Sequence, residues 1–205
     1  MIVLDRKNHW ETVYNTKNPD EVSWTQEVPQ TSLDFLHSFE LGKTAKIIDV
    51  GGGDSKLVDF LLTEGFEDIT VLDISGRAIE RAKARLGEKA QKVKWIESDI
   101  TEFEPKETYE VWHDRAAFHF LTEPEQVQAY LDLTKKAVTG YLVLGTFSED
   151  GPKKCSGLDI KQYNEGSMEA TFPHFQKIEC ETMDHKTPFG TTQHFIFCSF
   201  KKMRD

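Results

Sequence analysis

The chain has 205 residues, one ordinary domain's worth, with 25 Lys plus Arg against 35 Asp plus Glu and a formal net charge of −10. That acidic balance argues against sequence-independent binding to nucleic-acid phosphates, and no apolar run reaches the roughly 18 residues of a membrane span. Three scattered cysteines (Cys155, Cys180, Cys198) without a CxxC pair argue against a disulfide scaffold or zinc module, and the polar start Asp5-Arg6-Lys7-Asn8 is unlike a signal peptide, so a cytoplasmic setting is expected.

In chain order, residues 1–44 read as a helical segment distinct from the rest. Trp10, Val13 and Tyr14 share one helical face, and Trp24 follows a Pro-Asp turn. From residue 45, strand-length apolar runs alternate with helical patterns. The predicted strands are Ala45–Val50, Asp68–Asp73, Val93–Glu97, Tyr109–His113 and Tyr141–Phe147.

A helix is expected after Asp54, with Leu57, Val58, Leu61 and Leu62 on one face and Gly65 as its stop. A second opens at Ser75, an N-cap residue type, and ends at Gly87. A third opens at Thr122, with Glu125 at capping-box spacing, and ends at Gly140. Such alternation builds a mostly parallel α/β sheet with helices on both faces. Phe175–Met183 and His194–Lys201 break the pattern and read as an antiparallel hairpin. Cys180 and Cys198 fall inside these strands and are expected to be packing residues.

The first strand runs into Asp49-Val50-Gly51-Gly52-Gly53-Asp54-Ser55. Glycines between a parallel strand and a helix let a ligand approach the backbone. Asp73 ends the next strand, where an acid holds a ribose hydroxyl pair. A dinucleotide fingerprint needs a third spaced glycine, and Lys56 stands there instead. A nucleoside without phosphates fits better, and S-adenosylmethionine (SAM) is such a cofactor. Asp99, after the third strand in Ser98-Asp99-Ile100, is placed to accept from an adenine amino group.

With these residues in order, residues 45–147 resemble the cofactor domain of class I SAM-dependent methyltransferases. The resemblance implies a Rossmann-like sheet of seven strands whose last two form the antiparallel hairpin. It implies that Asp49, Gly51, Gly52, Gly53, Asp73, Ile74, Ser98, Asp99, Ile100 and His113 surround SAM, the product being S-adenosylhomocysteine. Trp10, Tyr14 and Trp24 would cover it from a lid formed by residues 1–44. No metal is implied.

The fourth strand continues His113-Asp114-Arg115-Ala116-Ala117-Phe118-His119. This resembles the Asp-Arg-Gly-Ala-Leu stretch of thiopurine and small-thiol methyltransferases. It also resembles the Asp-Lys-Gly-Thr-Leu stretch of eukaryotic protein-lysine methyltransferases, which share the Gly-x-Gly-x-Ser loop and the Gly65–Ser75 pattern. Ligands bind at the carboxyl ends of parallel strands, so His113, Asp114, Arg115 and His119 are the catalytic candidates. His185 and His194, flanking the hairpin loop, are further candidate bases.

Phe118, Phe120, Phe147, Phe172, Phe189 and Phe195 are expected on the substrate side, where an aromatic lining faces a sulfonium. The favoured acceptor is the sulfur of a small thiol or sulfide. Protein lysine, a small oxygen or nitrogen nucleophile and a metalloid are the alternatives, the last resting on Cys155 alone. A small-molecule partner is expected, without nucleic acid or membrane, and a monomer and a dimer are equally open.

Overall fold

The computed structural model describes residues 5–203. Seven strands form one sheet: β1 (Lys46–Val50), β2 (Asp68–Asp73), β3 (Val93–Glu97), β4 (Tyr109–Arg115), β5 (Val138–Phe147), β6 (Phe175–Lys186) and β7 (Thr192–Lys202). Their spatial order is β3-β2-β1-β4-β5-β7-β6. The first five pair in parallel, and β7 lies antiparallel between β5 and β6. Among the described residues six α-helices accompany them: α1 (Arg6–Thr16), α2 (Gln30–His37), α3 (Leu57–Thr63), α4 (Gly76–Leu86), α5 (Pro124–Ala137) and α6 (Glu165–Thr171). The mostly parallel sheet with a terminal hairpin is thus as expected.

Alternate residues of each strand feed opposite cores, as the period-2 geometry of a strand requires. Ile47, Val71, Val111 and Val143 pack with Leu33 and Leu36 of α2 and Leu57, Val58 and Leu61 of α3. Ile48, Leu72, Trp112 and Leu142 pack on the other face with Tyr130 of α5 and Met168 of α6. The helix after Asp54 begins at Leu57, and Gly65 follows it with φ +86. Ser75 caps α4, its hydroxyl accepting from the Ala78 N–H.

The third expected helix differs at both ends. Its N-cap is Glu123, because Pro124 takes the first helical position, where its missing N–H goes unmissed. Gly140 does not stop the helix: α5 runs directly into β5, and Gly140 lies within that strand. A Cβ there would sit 2.5 Å from the Glu110 carbonyl oxygen of β4. Close strand approach, not helix termination, requires that glycine.

The cysteines also differ from expectation. Cys180 and Cys198 are directly opposite across β6 and β7 and are joined in a disulfide, while Cys155 is free and buried. Directly opposed positions of an antiparallel pair share a face, and which positions are opposed is set by strand register, which spacing along the chain does not reveal. Among the described residues no helix is long and apolar enough to cross a membrane.

Replacing Gly140 with alanine is expected to destabilise the fold by about 1–3 kcal/mol through overpacking against β4. Urea unfolding of the variant measures this, and an unchanged midpoint would contradict the packing described.

Candidate functional site

Strand register sets the site. Asp49 of β1 pairs with His113 of β4 and with Val71 of β2, so three parallel strands end nearly level. Their carboxyl ends, with that of β3, open into one cavity of about 550 Å³. That is within the usual range of small-molecule sites, about 300–1,000 Å³.

The glycine loop forms one wall. Gly51 sits at φ +68, and a Cβ there would lie 2.8 Å from the Ala117 Cβ. The loop can follow this path only without a side chain. Gly53 lies behind the wall, its N–H donating to Asp73 Oδ2 at 2.9 Å. The Ser75 N–H donates to Asp73 Oδ1 at 2.8 Å. Burial pushes the Asp73 carboxyl up to about 6 against these two donors, which favour its anion. Each carboxylate oxygen keeps a further lone pair for a ligand hydroxyl.

Gly51, Gly52, Asp73, Ile74, Ser98, Asp99 and Ile100 all line the cavity. Asp99 is already engaged: Oδ2 accepts from Arg6 at 2.7 Å, and Oδ1 accepts from the Thr101 N–H and hydroxyl. Arg6 belongs to α1, whose sequence carries no signal for this contact 93 residues away.

The roof is α1 and the segment that follows it. Trp10 and Trp24 meet edge to face at 5.6 Å, and Trp10 meets Phe120 at 5.1 Å. Tyr14 packs beside Trp24, and burial pushes its phenol well above the ordinary value. Polar ties fasten the roof to the sheet's helices and loops. Glu11 accepts from the Gly76 and Arg77 N–H groups at the start of α4, a favourable end for an anion. Arg81 donates to the Lys17 carbonyl, and Arg115 donates from Nη1 to the Trp24 carbonyl at 3.0 Å.

The segment after β4 divides between cavity and core. His113 lines the cavity, with Nδ1 2.7 Å from Asp49 Oδ1 and Nε2 2.9 Å from Ser32 Oγ of α2. All three residues are buried. Arg115 also lines the cavity, and among the described residues its Nη2 has no hydrogen-bond partner and its guanidinium no ion pair. Burial pulls it down to about 10, with Asp49 and Cys155 opposing, so it stays charged at neutral pH. Cys155 faces the same space. Burial pushes its thiol up to about 12, with Arg115 pulling the other way.

Two catalytic candidates lie elsewhere. Asp114 alternates to the opposite face of β4 and does not line the cavity. Its Oδ1 accepts from the Ala117 and Phe118 N–H groups, and Oδ2 accepts from Tyr130 at 2.8 Å. Tyr130 in turn accepts from Trp112 Nε1 at 2.9 Å. Asp114 therefore holds a turn, in which Ala116 takes φ +64 where the related stretches carry glycine. His119 is fully buried outside the cavity, its Nδ1 accepting from the Phe147 N–H. Burial and Arg115 hold its pKa down near 3, so its placement does not suit a base.

His185 and His194 are also used structurally. His185 Nε2 donates to the Ser23 carbonyl at 2.6 Å, and His194 Nδ1 meets Ser148 Oγ at 2.5 Å. Of the six phenylalanines expected on the substrate side, only Phe120 lines the cavity. Phe118, Phe147, Phe172 and Phe195 are core, and Phe189 is exposed on the hairpin loop. Sequence reading missed Ser32 and Arg6, whose partners lie far along the chain.

Residues 47–138 match a family described as a methyltransferase domain. The mouse (Mus musculus) eEF1A lysine and N-terminal methyltransferase is 27% identical over 122 residues, 58% of this chain and 17% of that protein. The malonyl-[acyl-carrier protein] O-methyltransferase of Anoxybacillus flavithermus is 33% identical over 105 residues, 50% of this chain and 39% of that protein. The chain thus spans well under half the length of these relatives. A structure from work on conversion of a disulfide bond into a thioacetal group during echinomycin biosynthesis superposes with a TM-score of 0.78 at 15% identity, covering 96% of this chain and 92% of that one.

Tyr130→Phe is expected to leave Asp114 and the Trp112 N–H short of a buried partner, costing about 1–3 kcal/mol of stability. Urea denaturation reads the loss. A variant as stable as the parent would mean that Asp114 does not depend on this bond.

Proposed function

We propose that this chain, which has the class I SAM-dependent methyltransferase fold and carries a methyltransferase domain over residues 47–138, methylates the sulfur of a small thiol or sulfide. The observation that carries the acceptor is Arg115: a buried, charged guanidinium facing the cavity with one amino group unpartnered. An unpaired buried charge is costly, and an anionic acceptor relieves it. A protonated lysine side chain would be repelled there.

The residues present suit SAM. Asp73 is placed to accept from the two ribose hydroxyls, and Asp99 to accept from the adenine amino group. The Gly51–Gly52 backbone leaves room for the nucleoside, and Ile74, Ile100 and Leu121 give the apolar surface for its base. Asp49 Oδ2 is buried without a hydrogen-bond partner, a fitting acceptor for an ammonium group. When bound, SAM supplies an electrophilic methyl carbon on a sulfonium. The chain's own work is to orient the acceptor for in-line attack, exclude water and hold the acceptor as an anion. Trp10, Tyr14 and Trp24 line the cavity from above, and we assign residues 5–24 the role of a lid, since α2, which follows within the expected 1–44 segment, packs into the core.

A thiol with pKa near 8.5 is only a few per cent ionised at neutral pH, and a neighbouring guanidinium raises that fraction. The structure from the echinomycin work, which concerns chemistry at sulfur, adds support by likeness of fold. In the cytoplasmic setting proposed here, cellular thiols would keep Cys180 and Cys198 reduced.

Two measurements test this reading. The first supplies radiolabelled SAM with sulfide, simple thiols and small carboxylates, beside a cell lysate divided into protein and small-molecule fractions. Label in methylated thiol is expected. Label confined to a protein band or to a carboxylate ester would overturn the thiol assignment. The second is SAM affinity by calorimetry. Asp73→Ala should weaken it on the order of 10²-fold by removing charged acceptors. In the parent protein, affinity should fall as pH drops through about 6. Protonation there removes the anion that receives the ribose hydroxyls. Equal affinity at pH 5 and pH 7.5 would place the ribose elsewhere.

A further inference from the structure

A methyl acceptor that arrives as a neutral thiol must lose a proton, and the cavity wall holds a chain of groups able to take it. Ser32 of α2, His113 of β4 and Asp49 of β1 all line the cavity, each at most 2% exposed. Ser32 Oγ lies 2.9 Å from His113 Nε2, and His113 Nδ1 lies 2.7 Å from Asp49 Oδ1. A carboxylate has no proton to give, so the short Asp49 contact requires the proton on Nδ1. In the neutral ring Nε2 is then a bare acceptor, and the Ser32 hydroxyl donates to it.

Hydroxyls elsewhere in the helices behave differently. Those of Thr12, Thr16, Thr63, Thr134 and Thr171 each donate to the carbonyl four residues back. That local bond is the default for such a side chain in a helix. Ser32 instead spends its hydroxyl on a ring from the middle of the sheet.

We propose that Ser32 is the group that meets the acceptor and passes its proton to His113, with Asp49 as the positioning residue. This deepens the methyltransferase reading above and rests on it. In the step, the acceptor S–H proton moves to Ser32 Oγ as the Ser32 proton moves to His113 Nε2. The ring becomes an imidazolium held by the Asp49 carboxylate. The acceptor sulfur's electron pair forms the new bond to the methyl carbon. The pair of the broken methyl–sulfonium bond stays on the departing sulfur, leaving a neutral thioether. The proton returns through Ser32 to water when the cavity opens for product release.

The nucleophile–base–carboxylate order is the geometry of an acyl-transfer triad, here used to move a proton rather than to form a covalent bond. The titratable groups facing the ring are Asp49 across the sheet, Arg115 on its own strand, and Cys155 beyond Arg115, while Asp114 points to the opposite face of β4. Arg115 and the relay divide the work: the guanidinium stabilises the sulfur anion, and the relay removes the proton that forms it.

The test is Ser32→Ala, assayed with a simple thiol from pH 6.5 to 10. At neutral pH kcat is expected to fall by roughly 10²–10⁴-fold, the usual contribution of a proton-transfer group. SAM affinity by calorimetry should be unchanged and the variant should stay folded, its melting temperature lowered by the loss of a buried partner for Nε2. The deficit should shrink as pH rises past about 8.5, where the thiol ionises without help. A deficit that is constant across pH, or none at all, would overturn the relay, while thiol methylation by the parent protein would keep the methyltransferase reading standing.

Ser32→Thr, which keeps the hydroxyl, should recover most of the neutral-pH rate, and recovery by alanine equal to that by threonine would also overturn the relay. Nitrogen NMR of His113 in the cofactor-free parent gives a readout that needs neither turnover nor a stable variant. It should show Nδ1 protonated and Nε2 bare at pH 7. An Nε2-protonated ring, or an imidazolium, would leave nothing to accept the proton and would overturn the proposal.

Discussion

Parallel pairing of β2, β1 and β4 brings Val71, Asp49 and His113 onto one line across the sheet. Everything at the cavity depends on that register. Because parallel strands are evenly stepped, one residue's slip would turn Asp49 and His113 to the opposite face and bury two polar groups against leucines. The apolar alternation of the two cores fixes the step, since Ile47 and Ile48 belong to different faces. A hydrophobic pattern thus aligns a polar site.

Within this frame, buried groups at strand ends meet opposite fates. Asp73 and Asp114 are both buried acids pushed up to about 6, yet only Asp73 opens to the cavity. Asp114 gives its lone pairs to two backbone N–H groups and Tyr130, so it shapes the turn that delivers Ala117 against the glycine loop. Arg115, one residue on, faces the other way and keeps an amino group unpartnered. The difference is the pleat of β4, not the chemistry of the side chains.

The roof is fastened by polar contacts rather than by a deep apolar interface. Arg6 on Asp99, Glu11 on the start of α4, Arg81 on the Lys17 carbonyl and Arg115 on the Trp24 carbonyl all join residues 6–24 to the domain beneath. Three of these ties engage residues that also line the cavity, so the residues that fasten the roof are also ones a ligand there would meet.

The order of strands and helices was legible because apolar periodicity is a local property. So were the glycine loop, Asp73 and Asp99, which follow strand ends in chain order. The start of α5 was misplaced by one residue, because Pro124 favours the first helical position over a Thr122 cap. Gly140 was misread, because its requirement is a neighbouring strand's carbonyl. Which of His113, Asp114, Arg115 and His119 face the cavity depended on the pleat and the turn after β4, and the phenylalanines became core through distant partners, Phe118 and Phe172 on the α5–α6 side and Phe147 and Phe195 on the α2–α3 side. Ser32 and the cross-strand Cys180–Cys198 pair carried no local signal. Sequence alone determined the sheet and the glycine loop, since these are written in spacing along one segment. Only the tertiary structure decided the Ser32–His113–Asp49 chain, the unpartnered guanidinium and the roof, because each joins groups from segments that meet only after the sheet has closed its two cores.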